Sequence, residues 1–203
     1  MRVLFILFFV SLLIGCSTQE IQINSDNSAH VKLVLFEFTE EFVEEDLDDE
    51  WEDEPLTIPD SMQLSFDKLK NAYSSKLIKN LSINQSQKDS SSFVIEFDIS
   101  PIDSLGNYLD PIFDQRFQTS MNNNSFTFVG SDGLQKIEED VCGCTNLLTI
   151  KSTINFDKNI KKLETKNNYI KQTSTNQIEI NTSIGEMNFS GIENKFIVTL
   201  EDQ

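Results

Sequence analysis

Four runs of alternating apolar and polar residues constrain the fold of this chain more than any other feature. They cover residues 93–99, 148–156, 177–184 and 196–200. Successive side chains of a strand point to opposite faces, so each run predicts a strand with one buried and one solvated face. One-sided strands are typical of antiparallel sheets, whereas parallel sheets are covered on both faces. The predicted fold class is therefore α+β and β-rich: an antiparallel sheet or sandwich with one or two helices.

Shorter apolar runs predict further strands. Residues 31–38 are dense in Val, Leu and Phe on both faces, which is typical of a buried strand. Phe126 and Phe128 form another short run, and residues 160–163 and 169–171 predict two additional strands. Asn-rich and Gly-containing stretches separate these elements and predict turns between them.

One amphipathic helix is predicted after the two prolines at positions 55 and 59. Asp60 has the character of an N-cap residue, and Gln63 follows three positions later. Apolar residues then recur every three or four positions, which favours packing of one helix face on the core. These residues are Met62, Phe66, Leu69, Tyr73 and Leu77. The C-terminal half also fits a strand over 77–83.

The N-terminal segment has the pattern of an export signal. Arg2 precedes a nearly continuous apolar run over 3–12, which is too short to span a bilayer. The run ends in Leu13-Ile14-Gly15-Cys16. This motif resembles the lipobox of bacterial lipoproteins, which implies cleavage between Gly15 and Cys16, a diacylglycerol on the Cys16 thiol and acylation of the new amino terminus. The alternative is an ordinary signal peptide with Cys16 unmodified.

The lipobox resemblance also implies how the chain is organised and where it resides. Residues 1–15 are the signal peptide, and the acyl chains fix the protein to a membrane without a transmembrane helix. Ser17 follows the Cys, which implies outer-membrane sorting, with the domain facing the periplasm or cell surface. The polar residues 16–30 predict a flexible tether, and 31–203 form a single β-rich domain. The stretch from residue 156 is similar to small lipoproteins of Bacteroidota-type bacteria.

An acidic segment over 37–54 contains twelve Asp and Glu residues and no Lys or Arg. Such charge density predicts a solvated loop within the domain. Two functional alternatives remain open. Phe42, Leu47 and Trp51 among the acids fit a docking stretch for a basic protein partner, and the carboxylates fit weak Ca²⁺ binding, although no ordered Ca²⁺ loop motif is present. The net charge of −17 argues against a nucleic-acid partner.

Two smaller features of the sequence suggest chemistry. Cys142 and Cys144 flank Gly143 after a predicted short helix, and an oxidising compartment favours a disulfide between them, with free thiols or a redox or metal role as alternatives. Ser61 and Ser104 each stand in an Asp-Ser-apolar tripeptide that resembles the O-glycosylation motif of Bacteroidota secreted proteins.

Catalytic motifs are not apparent in the sequence. The only imidazole, His30, falls in the predicted tether, where we expect a solvated bystander, and no Gly-x-Ser-x-Gly or phosphate-binding Gly loop occurs. We therefore expect no cofactor, no metal and no enzymatic activity. The sequence favours a lipid-anchored envelope protein with a binding or assembly role. A lipocalin-like carrier of small apolar ligands and a carboxylate-based hydrolase are the alternatives.

Overall fold

A computed structural model describes residues 17–36, 65–86, 92–109, 117–130, 149–183 and 194–202. Within these ranges the chain forms eleven strands, one α-helix and one 3-10 helix. The helices are α1 (Phe66–Ala72) and the 3-10 helix Ile102–Tyr108. The strands are β1 (Ser17–Ile23), β2 (Ala29–Phe36), β3 (Ile78–Gln85), β4 (Ser92–Ile99), β5 (Gln118–Asn122), β6 (Ser125–Val129), β7 (Thr149–Phe156), β8 (Ile160–Thr165), β9 (Ile170–Ser174), β10 (Gln177–Ser183) and β11 (Lys195–Leu200).

The strands form two sheets whose inner faces share one hydrophobic core. Sheet A has seven strands in the order β3-β4-β2-β1-β7-β10-β9, and sheet B has four in the order β5-β6-β11-β8. Phe126 of sheet B packs edge-on against Phe156 of sheet A, with ring centroids 5.7 Å apart. The buried apolar residues of both sheets, the helix α1 and the 3-10 segment belong to one continuous cluster. The β-rich prediction is confirmed, and the arrangement fits a sandwich.

Alternation produces the predicted strands. β4, β7, β10 and β11 bury every second residue, as the period-two runs indicated. Residues 31–36 lie in β2, an interior strand of sheet A, and the two short runs near 160 and 170 form β8 and β9. Pairing is antiparallel throughout the described strands except between β1 and β7, which are parallel. Sheet A is therefore mixed, because β1 pairs antiparallel with β2 on one side and parallel with β7 on the other.

The predicted tether over 16–30 is wrong for the described residues. Residues 17–23 form β1, the central strand of sheet A, and β2 already begins at Ala29. Ile21 and Ile23 are buried at 2% and 0% exposure, while Glu20 between them lies on the solvent-facing side. Two isoleucines two positions apart are enough to fix the face of a strand that is paired on both edges.

Helix α1 is shorter than the apolar stripe predicted. Ser65 is the N-cap, and its hydroxyl accepts a hydrogen bond from the backbone N–H of Lys68 at 3.2 Å. Leu69 and Tyr73 are buried, but Phe66 is half exposed. The chain enters β3 at Ile78, in agreement with the strand alternative for 77–83. Positions 60–64, with the predicted N-cap Asp60, lie outside the described residues.

Candidate functional site

One end of sheet A gathers the ends of six of its seven strands. Ser17, the first residue of β1, is paired with Leu35 of β2 on one side and Ile150 of β7 on the other. In each of these six strands, the two residues nearest this end of the sheet carry no charge, although 24% of the chain is charged. We call these residues the uncharged rim. They are Ser17, Thr18, Leu35, Phe36, Asn84, Gln85, Ser92, Phe93, Thr149, Ile150, Thr182 and Ser183.

The uncharged rim is where the sequence-predicted sites join the described fold. Cys16 directly precedes Ser17, so the predicted lipidation residue is adjacent to the central strand. The acidic segment 37–54 follows Phe36, and the stretch that contains Cys142 and Cys144 leads into Thr149. These attachments follow from the covalent chain alone.

Most of the predicted site residues lie outside the described ranges. They are Gly15, Cys16, Phe42, Leu47, Trp51, Ser61, Cys142 and Cys144. Their assignments as lipidation, cleavage, docking, glycosylation and disulfide residues therefore stay predictions.

The side of sheet A that faces away from the core carries cross-strand ion pairs. Lys32 Nζ of β2 lies 3.3 Å from Glu96 Oε1 of β4, and Lys151 Nζ of β7 lies 3.5 Å from Glu179 Oε1 of β10. We call this side the ion-pair face. Each pair is partly exposed to water, where an ion pair contributes at most about 1 kcal/mol to stability. The face is therefore a hydrated polar surface of alternating charge.

His30 belongs to this face rather than to a tether. Its Nδ1 donates to Asp98 Oδ1 at 2.7 Å, and Asn80 Nδ2 donates to Asp98 Oδ2 at 2.6 Å. The hydrogen bond from Asn80 and the one from His30 lower the pKa of Asp98 below its ordinary value, because both stabilise the carboxylate. Asn80 reaches Asp98 from a bulged position with φ of 53°, a left-handed conformation that Asn tolerates. The sequence signalled no part of this cluster.

A second polar group missed by the sequence lies inside the core. Ser152 Oγ donates to Gln19 Oε1 at 3.0 Å, and Gln19 Nε2 donates to the Leu109 carbonyl at 3.0 Å. Gln19 is 8% exposed and Ser152 4%. Buried polar groups lower stability unless they are hydrogen-bonded. These contacts join β1, β7 and the end of the 3-10 segment, and they assign Gln19 a structural role.

Ser104 is the one predicted modification residue that the structure describes. It lies half-buried in the 3-10 helix, next to the buried Leu105. The neighbouring Asp103 Oδ1 accepts a hydrogen bond from the Met121 backbone N–H at 3.1 Å. The Asp-Ser-Leu tripeptide is thus part of an ordered segment packed on β5, and glycosylation of Ser104 stays a prediction.

Metal-holding groups and membrane-spanning helices are both absent from the described ranges. No three His, Cys, Asp or Glu side chains there form a group able to hold a metal ion. Nor does any helix of these ranges have the length and apolar character needed to cross a membrane.

Comparison with known proteins gives little further guidance. A scan against protein-family models and a search of curated proteins returned no match. A search of solved structures found similarity to the folded domain of the Mycobacterium tuberculosis LppM protein, determined by NMR. The two chains are 9% identical, the alignment covers 93% of this chain and 90% of that chain, and the TM-score is 0.48. A likeness of this size carries no argument about family or function.

Proposed function

We propose that this chain is a lipid-anchored cell-envelope protein with a non-enzymatic binding or assembly role. The proposal rests on one observation, the position of the lipobox-like motif directly before the first described strand. The lipobox-like residues 13–16 end directly before Ser17, where the first described strand begins. Cleavage before Cys16 would therefore remove no residue of the described fold and would leave the anchor residue next to it.

The proposed anchor is sufficient on physical grounds. A single acyl chain holds a protein on a membrane only marginally, whereas two or three hold it stably. A diacylglycerol on the Cys16 thiol, with acylation of the amino terminus, supplies that number. We infer that Ser17 after the anchor favours sorting to the outer membrane, and sucrose-gradient separation of the two membranes tests this point.

The proposed binding role relies on surface confinement and on the acidic segment. Anchoring raises the effective concentration of the domain for partners at the same membrane. The segment 37–54, with Phe42, Leu47 and Trp51 among twelve acids, would supply attraction to a basic partner and apolar contacts once docked. In the sequence this segment directly follows Phe36, a residue of the uncharged rim.

The carrier alternative finds less support than the anchored binding protein. A lipocalin-like protein holds its ligand inside one sheet closed into a barrel. The described strands instead form two sheets, and sheet A has β3 and β9 at its two edges. Their inner faces are filled by aromatic and aliphatic contacts, such as the stacked rings of Phe128 and Phe196 at 5.1 Å.

The anchor is tested by Cys16→Ser with Ser17→Ala as the matched control. In cells given radiolabelled palmitate, we expect label on the unaltered chain and on Ser17→Ala, and none on Cys16→Ser. The mass of the purified protein should correspond to a chain that begins at Cys16 plus acyl groups. An intact chain that retains residues 1–15 without acyl mass would refute the proposal.

The docking role is tested separately by affinity capture from solubilised membranes. One bait is the unaltered chain, and the other has residues 37–54 replaced by a Gly/Ser linker of equal length. We expect specific partners to be lost with the replacement and to be released from the unaltered chain by salt, because screening weakens the attraction. Equal recovery on both baits would exclude the acidic segment as the docking element.

A further inference from the structure

We propose that the uncharged rim is the surface by which the domain rests on lipid headgroups, with the strands of sheet A directed steeply away from the membrane. This inference rests on the proposed lipid anchor. It adds what the anchor alone does not specify, namely which end of the fold contacts the bilayer.

Very little chain separates the proposed anchor from the described fold. Only the peptide bond from Cys16 to Ser17 separates them, and neighbouring Cα atoms are about 3.8 Å apart. The headgroup region of a bilayer is about 5–8 Å thick on each side of the hydrocarbon. An acylated Cys16 therefore holds Ser17 within or directly above the headgroups, so the domain has no slack in which to turn another side toward the membrane.

The anchored strand, β1, lies at the centre of sheet A. Three strands lie on each side of β1, and strands are spaced about 4.8 Å apart. The sheet thus extends about 14 Å to either side of the anchored strand. An anchor at an edge would let the sheet lean over, whereas an anchor at the centre brings the neighbouring strand ends toward the bilayer together.

The chemistry of the strand ends is an independent observation. Two residues from each of six strands form the uncharged rim, and Ser, Thr, Asn and Gln make up most of it. Among the rim side chains that the structure describes, Thr18 is half-buried and Asn84 and Gln85 are exposed, whereas Leu35, Ser92 and Thr182 are buried. Uncharged polar side chains at the surface exchange hydrogen bonds with phosphate and ester oxygens without bringing a charge into a low-dielectric region. On the outward side next to the rim, Val34 and Val94 are paired and half-buried.

Charged residues occur further along the same strands. Glu96 is the fifth residue of β4, and its partner Lys32 is the fourth residue of β2, both well away from the rim. Lys151 is the charged residue next to the rim on β7, and its Nζ pairs with Glu179, which lies opposite Thr153 and so further from the rim. Along these strands, the residues at the anchored end are therefore uncharged, and the ion-paired residues lie further from the anchor.

Tryptophan quenching tests this orientation with a matched pair on one edge strand. Asn84→Trp lies in the uncharged rim, and Lys79→Trp lies near the opposite end of β3, about 13–16 Å away. Both positions are exposed, so both variants should fold. Each is made in a Trp51→Phe background, acylated in cells and reconstituted into phosphatidylcholine vesicles that carry nitroxide-labelled headgroups.

We expect headgroup quenching at Asn84→Trp to exceed that at Lys79→Trp by at least about twofold, because nitroxide quenching acts over distances shorter than their separation. Equal quenching of vesicle-bound protein would overturn the orientation while leaving the anchor intact. Protein that fails to float with vesicles would refute the anchor and this inference together. If residues 37–64 occupied the rim instead, quenching at Asn84→Trp would stay at the Lys79→Trp level.

A second measurement needs no substitution at the rim. Amide hydrogen exchange is compared between the acylated chain on vesicles and the Cys16→Ser chain in solution. We expect slower exchange on vesicles at the rim ends of β3 and β10, and unchanged exchange at the Asn176 turn, which lies at the far end of β10. Protection of the Asn176 turn in place of the rim would contradict the proposal.

Discussion

The hydroxyl of Ser152 donates a hydrogen bond to Oε1 of Gln19 across the parallel pair of β7 and β1, deep in the core of sheet A. The amide of Gln19 in turn donates to the Leu109 carbonyl. Each polar group therefore has a partner, so the polar sequence of β1 can occupy the centre of a seven-stranded sheet. The first residues after the lipobox-like motif are thus part of the fold and not a spacer.

This relationship predicts a measurable coupling between Gln19 and Ser152. Gln19→Ala should lower the free energy of unfolding by about 1–3 kcal/mol, because it leaves the Ser152 hydroxyl and the Leu109 carbonyl without partners in the core. Urea unfolding of the purified protein with Gln19→Ala, Ser152→Ala and both should give a coupling of about 0.5 kcal/mol or more. Thr153→Ala, on the outward side of β7, is the control. Additive effects of the two changes would refute the coupling.

The structural role of β1 is tested by two neighbouring residues. Ile21 is 2% exposed, so Ile21→Ala should lower the free energy of unfolding by about 2–5 kcal/mol through lost burial and the cavity left behind. Gln22→Ala changes the outward side of the same strand and should stay within about 0.5 kcal/mol. Thermal or urea unfolding measures both. If both variants were as stable as the unaltered chain, residues 17–23 would behave as the tether that the sequence predicted.

The success of the sequence prediction depended on how strongly each strand alternates. β4 and β11 bury large apolar residues at every second position, and such a signal is local and readable. β1 presents only Ile21 and Ile23 among polar residues, and its burial comes from pairing with β2 and β7. The parallel β1–β7 pair joins residues more than a hundred positions apart, so no local pattern could signal it.

The candidate site was predictable only where its chemistry is local. The lipobox resemblance is a run of four adjacent residues, 13–16. The cluster of His30, Asp98 and Asn80 depends on the register of β2 with β4 and on a bulge in β3. The uncharged rim likewise appears only when six strand ends are aligned, because each contributes two ordinary polar or apolar residues.

The Asp98 cluster predicts a specific change in titration. The hydrogen bond from Asn80 is the largest cause that lowers the pKa of Asp98, so Asn80→Ala should raise that pKa toward the ordinary value of 3.8. His30→Phe should raise it too, because it removes both the hydrogen bond and the coulombic attraction from His30. Carboxyl-detected NMR titration measures both. Lys32→Met, which removes the neighbouring ion pair with Glu96, is the control and should leave the Asp98 titration near that of the unaltered chain.

The sign of the stability effect follows from the lowered pKa. A carboxylate with a depressed folded-state pKa stabilises the fold above its unfolded value, and this contribution is lost as the pH falls through the folded-state pKa. The acid-induced loss of stability below about pH 4 should therefore be smaller in Asp98→Asn than in the unaltered chain. Asp98 is partly exposed, so we expect a difference of a few tenths of a kcal/mol. A larger acid loss in Asp98→Asn would contradict the sign.

Gly106 in the 3-10 helix is a position at which we expect even a methyl group to destabilise the fold. A Cβ at Gly106 would lie 1.9 Å from the Phe117 carbonyl oxygen, which is backbone and cannot rotate away. The displacement would also break the bond from the Phe117 N–H to the Gly106 carbonyl and the one from the Gly106 N–H to Thr119 Oγ1. Gly106→Ala should lower the free energy of unfolding by about 3 kcal/mol or more. The exposed neighbour Asn107 gives the matched control, and Asn107→Ala should stay within about 0.5 kcal/mol in the same urea unfolding series. Equal stability of the two variants would mean that the 3-10 helix does not pack against the start of β5 as described.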